Sequence, residues 1–148
     1  MSMQPFIRFA GPDDAAVIAR LFCELGHPAT EEEVSARMAL FVHLGHEALV
    51  AEMDGGVVAV TALSVMHVLH RPAPVGRMSV LVVSEALRGR GIGRALVSAA
   101  EKRLAERGCG LVEVTSNMRR AEAHAFYEGL GYERTSYRFF KTLQARPE

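Results

Sequence analysis

The sequence predicts an α/β protein in the α+β mixed-sheet sense, with one central β-sheet flanked by helices on both faces. Three observations predict it. Short apolar runs bounded by Gly, Pro and Asp alternate with longer segments whose apolar residues recur at helical spacing. A strand-like run, a glycine-rich turn, an amphipathic helix and a second strand-like run follow one another from Val80 to Thr115, the order of a parallel crossover. The 148 residues, 49% hydrophobic and 23% charged, suit one globular domain, residues 1–148, large enough to bury a core.

Taken in order, Phe6 to Phe9 form a short strand stopped by Gly11 and Pro12. Asp13 and Asp14 open a helix whose apolar positions are Val17, Ile18, Leu21, Phe22 and Leu25, and Gly26 ends it. Thr30 and Glu33 have the spacing of a capping box, and Val34, Met38, Phe41 and Val42 supply the inner stripe of the helix that follows, with Gly45 as its stop. Ala48 to Met53 reads as a strand. Asp54, Gly55 and Gly56 give it hairpin chemistry, so that Val57 to Val68 returns antiparallel. His67 and His70 flank the end of that strand; either could act as a base near neutral pH, but a partly exposed loop histidine is the plainer reading. Pro72, Pro74 and Gly76 close the loop, and Met78 to Val83 is the central strand. The next helix keeps Ile92, Leu96, Ala99 and Leu104 on one face. Leu111 to Thr115 is a strand, Arg120 to Leu130 a helix capped by Gly131, and Tyr132 to Leu143 a terminal strand or hairpin completing the sheet.

Composition removes several classes of function. Lys plus Arg and Asp plus Glu number 17 each, so no overall field draws the chain to nucleic acid or to an acidic membrane. Cys23 and Cys109 lack metal-ligand spacing and read as reduced thiols of a cytoplasmic protein, and no metal is expected. The opening MSMQPFIRFAGPDD lacks the pattern of a signal peptide, and no apolar stretch is long enough for a membrane span.

The chemistry concentrates at Val80 to Leu104, VLVVSEALRGRGIGRALVSAAEKRL, where Gly89, Gly91 and Gly93 lie between a strand and a helix start. First-turn amides of a helix lack internal partners and sit at the positive end of its dipole, and glycines allow the backbone to approach a phosphate closely. Arg88, Arg90 and Arg94 add positive charge, so the turn reads as a diphosphate cradle. A Walker loop would need Lys and then Ser or Thr after the last glycine, where Arg94 and Ala95 stand. A dinucleotide fingerprint begun at Gly89 and Gly91 would need its third glycine at Arg94, although Glu113 lies at about the expected distance downstream. A third pattern fits at every specified place: Arg or Gln, two free positions, Gly, one free position, Gly, here Arg88 to Gly93, preceded by Leu81 and Val83 in an LxV pattern. It resembles the acetyl-CoA pyrophosphate loop of the GCN5-related N-acetyltransferase (GNAT) family. A second motif, AHAFYEGLGYE from Ala123 to Glu133, is similar to that family's AxxxYExxGF signature, with Tyr127 at the tyrosine position and Tyr132 in the aromatic place. Together the likeness spans roughly residues 47–142.

The resemblance implies the acyl-CoA N-acyltransferase fold and transfer of the acetyl group of acetyl-CoA to a primary amine by direct attack in a ternary complex. It implies that Leu81, Val82 and Val83 offer backbone groups to the pantetheine arm and the thioester carbonyl, an oxyanion-hole role needing no special side chain. It further implies that Arg88, Gly89, Arg90, Gly91, Ile92, Gly93 and Arg94 hold the diphosphate, and that Tyr127 sits near sulfur. A phenol, with an ordinary pKa of about 10, is protonated at neutral pH and can donate to a leaving thiolate. Tyr127 also reads as a half-buried helix aromatic of the core. Two departures concern the base. Met78, Ser79 and Val80 stand where a carboxylate is often found, leaving Glu113, in LVEVTSN, as either a strand base or half of a structural ion pair. Arg120 replaces the asparagine usual before the tyrosine, with Asn117 nearby as a candidate cofactor contact. The acceptor is a small-molecule or peptide amine, and family habit and the aromatic C-terminal stretch suggest a homodimer. A non-catalytic acyl-CoA-binding or sensing module is the alternative.

Overall fold

The computed structural model describes residues 4–115 and 121–144. Their contacts gather into two compact units, Met1–Thr115 and Ser116–Glu148. The first holds a sheet of five strands in the order β1-β2-β3-β4-β5, namely β1 Phe6–Phe9, β2 Glu47–Met53, β3 Gly56–Met66, β4 Val75–Val83 and β5 Leu111–Val114. The first four are antiparallel neighbours, and β5 runs parallel to β4. The helices of this unit are α1 Ala15–Leu25, α2 Glu31–His43 and α3 Ile92–Glu106.

Local chemistry accounts for most boundaries. In the β2–β3 hairpin Asp54 has φ 51° and Gly55 φ 81°, the left-handed pair that a two-residue turn needs to match the twist of its strands. Gly26 ends α1 at φ 93°, with the His27 amide donating to the Phe22 carbonyl. At the start of α2 the Glu33 amide donates to Thr30 Oγ1 at 3.1 Å and the Thr30 amide to Glu33 Oε1 at 2.9 Å, the reciprocal cap expected. These bonds hold the Glu33 carboxyl below the usual carboxylate range.

Helices cover both faces of the sheet. On one, Ile18 and Leu21 of α1 and Val34 of α2 pack with Val50, Val60 and Val82. On the other, α3 buries Ile92, Leu96, Val97, Ala100 and Leu104, and Leu104 lies against Gly76. Side chains alternate along a strand, so Met78 and its cross-strand partner Leu63, both fully buried, share the face of Gly76. No helix among the described residues is long and apolar enough to cross a membrane.

Five expectations are corrected. Strand β3 stops at Met66, not Val68. Strand β4 starts at Val75, so Gly76 belongs to the strand and not to the loop, where its missing side chain makes room for Leu104. Val42 is 74% exposed, because it lies about 80° around the helix from Val34 and outside the inner stripe of Val34, Met38 and Phe41. Ala99 is half-buried, and Val97 and Ala100 complete the inner face of α3. Finally, Tyr132 to Leu143 is not in a strand, and Tyr137, Phe139, Phe140 and Leu143 are exposed. β-propensity reflects fit to a half-buried pleated surface, so aromatic composition alone does not supply a pairing partner.

In the second unit, α4 spans Ala121–Gly129. Gly131, at φ 93°, closes it: the Tyr132 amide donates to the Tyr127 carbonyl at 3.0 Å, which brings the two tyrosine rings edge to face at 5.8 Å.

Candidate active site

The site begins where two neighbouring strands part. Ala62 faces Val80 while Leu63 faces Met78, so Ser79 is an extra residue that bends β4. Strand β5 pairs with β4 only from Val75↔Leu111 to Met78↔Val114. Past the bulge, Ser79 to Val83 have no β5 partner among the described residues. The Ser84 amide donates to the Val58 carbonyl, so main-chain groups of that parity point to β3, and those of Leu81 and Val83 point to the open edge. The side chain of Val82 is buried against α1, whereas Leu81 and Val83 are half-buried.

Side chains hold the bulge from both flanks. Thr61, wholly buried, donates its hydroxyl to the Val80 carbonyl at 2.6 Å. Arg77 donates from Nη1 to Glu113 Oε1 and from Nη2 to Thr115 Oγ1, each at 2.8 Å. Glu113 is thus in an ion pair with its direct cross-strand partner. Sequence reasoning missed Arg77 and Thr61. Placing Arg77 outside the central strand hid the alternation of Gly76 and Met78 against Arg77, which would have set it opposite Glu113.

From the open edge the chain runs straight into the glycine-rich turn. A 3-10 turn, Glu85–Leu87, is started by the Glu85 amide donating to Glu24 Oε1 of α1 at 2.8 Å. Arg88 folds back, its Nε donating to the Val83 carbonyl at 3.3 Å. Gly89 and Gly91 have φ 80° and 81°. A Cβ at either would meet nothing within 4 Å, so the protein's own demand for glycine there is the left-handed backbone. Gly91 caps α3, its carbonyl accepting from the Ala95 amide at 3.0 Å. The amides of Ile92, Gly93 and Arg94 therefore precede the first intrahelical bond and have no helix carbonyl to meet. With Arg88, Arg90 and Arg94 exposed around them, these donors at the positive end of α3 suit a diphosphate.

The structure thus brings together Leu81, Val82, Val83 and Arg88 to Arg94, and places Glu113 on β5 in the clamp with Arg77. Tyr127 lies on α4 in the second unit, and Asn117 lies outside the described residues. His67 and His70 are exposed in the β3–β4 connection, and no cluster able to hold a metal occurs among the described residues.

Residues 16–132 match the family model described as the acetyltransferase (GNAT) family. The chain belongs to the GNAT family. The family and its N-acetyltransferase relatives make it an acetyltransferase enzyme. One such relative is the aminoalkylphosphonate N-acetyltransferase of Salmonella typhimurium, 30% identical over 142 residues, which are 93% of this chain and 90% of that protein. Another is the type 1 aminoglycoside N(6')-acetyltransferase of Stenotrophomonas maltophilia, 29% identical over 134 residues, 88% of each chain. The GNAT fold is equally plain in the solved aminoglycoside N-acetyltransferase AAC(6')-Iy in complex with CoA, which superposes with a TM-score of 0.85 at 17% identity over 98% of both chains.

Proposed function

We propose that this GNAT protein transfers the acetyl group of acetyl-CoA to the primary amine of a small molecule by direct attack in a ternary complex. The observation that carries the reading is the continuity of two features. The open β4 edge at Leu81 and Val83 leads directly into the Gly89–Gly91 turn and the N-terminus of α3. An extended arm can pair with the edge while its diphosphate meets the free amides, as a β-strand and an anion would separately. Acetyl-CoA supplies both parts and the activated acetyl group.

The residues then have these roles. Arg88, Arg90, Arg94 and the amides of Ile92, Gly93 and Arg94 hold the diphosphate, and Gly89 and Gly91 shape the turn. The outward main-chain groups of Leu81 and Val83 orient the arm, and an amide there polarises the thioester carbonyl. Tyr127 donates its phenolic proton to the departing sulfur. The small-molecule acceptor is supported by both curated relatives, whose names specify an aminoalkylphosphonate and an aminoglycoside. A homodimer is supported by the exposed Tyr137, Phe139, Phe140 and Leu143; light scattering at the monomer mass would refute it.

The test is release of free thiol from acetyl-CoA across a panel of aminoalkylphosphonates, aminoglycosides and peptide N-termini. Turnover is expected with a small amine, and Tyr127→Phe should lower kcat by about 10- to 1,000-fold while CoA affinity stays within about threefold. Tight CoA binding without thiol release from any amine would replace the enzyme with a binding module.

A further inference from the structure

We infer that Arg77 is a positioning residue of the acetyl site, setting the fork between β4 and β5, and that Glu113 is its anchor and not the base. The inference rests on the proposed reading that the thioester lies along the open β4 edge.

Arg77 occupies the next-to-last paired position of β4, opposite Glu113, and the pairing ends one step later at Met78↔Val114. Its guanidinium spans two β5-side residues on one face, Glu113 within the strand and Thr115 just past its end, at 2.8 Å each. A guanidinium that grips two acceptors fixes direction as well as distance. The strand direction of β5 is therefore set at the point where it leaves β4. Ser79, the bulged residue, follows two positions after Arg77, and Thr61 holds the Val80 carbonyl on the other flank. Between these anchors lies the bend that turns the Leu81 and Val83 main chain to the open edge. Glu113 Oε1 accepts from Arg77 Nη1, so that oxygen is committed to the clamp as the acceptor that Arg77 grips. An acyl arm lying in the fork would feel any change in its opening, whereas a nucleotide held only at the α3 N-terminus would not.

Calorimetry with two probes separates these expectations. Acetyl-CoA reaches both cradle and fork; adenosine 3',5'-bisphosphate reaches the cradle alone. Arg77→Met should weaken acetyl-CoA by about tenfold while leaving the bisphosphate within about twofold, and Arg77→Lys should recover part of the loss. Glu113→Gln, which keeps an acceptor oxygen, should hold acetyl-CoA within about threefold of the wild type, and Glu113→Ala should match Arg77→Met without adding to it in the double variant. In turnover Glu113→Gln should keep kcat and the acid limb of its pH profile. Unchanged acetyl-CoA affinity in Arg77→Met, equal loss of both probes, or a hundredfold fall in kcat for Glu113→Gln would each overturn the inference. A wild-type protein that binds neither probe would overturn the proposed function itself. Should Arg77→Met fail to fold, Glu113→Ala and Arg77→Lys give the same contrast between probes.

Discussion

Asp14 shows how much a single side chain decides. Its carboxylate is only 6% exposed and accepts the Gly11 amide at 2.7 Å and two Arg8 nitrogens at 2.8 and 2.9 Å. Arg8 in turn donates from Nε to Glu52 at 2.6 Å, so this group ties the entry to α1 to the β1–β2 edge of the sheet. The Arg8 bond, against the opposing cost of burial, holds the Asp14 carboxyl below the usual carboxylate range, and Arg8 is raised by the same partner. The sign follows from linkage. A carboxyl whose folded pKa is depressed stabilises the fold above its unfolded value, about 3.9, and that stability is lost as pH falls through the folded value. Asp14→Asn keeps one acceptor oxygen, puts an NH2 donor where the other oxygen accepted and carries no charge, and should cost about 1–2 kcal/mol near neutral pH. In urea unfolding the gap between wild type and variant should close below about pH 4; a gap that persists in acid would show that the charge is not what holds the turn.

Among the elements, β4 carries the most constraint, because it packs α3 at one end and opens an edge at the other. A Cβ on Gly76 would stand 2.8 Å from Leu104 Cδ1 and 3.1 Å from Leu104 Cβ, in a part of the core where Leu104 has no exposed surface. Gly76→Val should therefore destabilise by about 1–3 kcal/mol through overpacking, and combining it with Leu104→Ala should restore part of the loss. Denaturant midpoints with unchanged slopes would measure it, and a neutral Gly76→Val would mean that α3 can shift freely on the sheet. The same element shows what was legible in the sequence. Signals completed within a few residues were read correctly: the Asp54-Gly55 turn, the Thr30 and Glu33 cap, and the Gly26 and Gly131 stops each draw on their own neighbours. So was the Gly-rich turn, whose two left-handed residues and helix start lie within one short run. Features that depend on a distant partner were not. Gly76 looked like loop punctuation because its need is Leu104, Arg77 drew no reading because its partner is the distant Glu113, and Tyr132 to Leu143 looked like a strand because composition says nothing of pairing.

At the scale of the whole molecule, charge is balanced at 17 of each sign, so in the proposed reading ligand attraction comes from local arrangement: three arginines and the amides of one helix end on a neutral chain. A ligand that binds the folded state alone adds stability as the logarithm of its concentration over its Kd, about 2.7 kcal/mol at a hundredfold excess. For a domain of this size each kcal/mol moves Tm by about 2–4 °C, so saturating acetyl-CoA should raise Tm by about 5–11 °C. The part of the shift owed to charge should shrink as salt rises, because the exposed Arg88, Arg90 and Arg94 are screened while the edge contacts of β4 are not. Gly91→Val, which forces a β-branched residue toward φ 81°, should displace the first turn of α3 and remove most of the shift while disturbing no packed neighbour. NADH serves as the opposing probe, since it shares a diphosphate with CoA but has no thioester arm for the Leu81 and Val83 edge. A thermal shift with NADH and none with CoA would return the glycine-rich turn to the dinucleotide reading; a shift with acetyl-CoA that Gly91→Val abolishes is the result expected of a GNAT cradle.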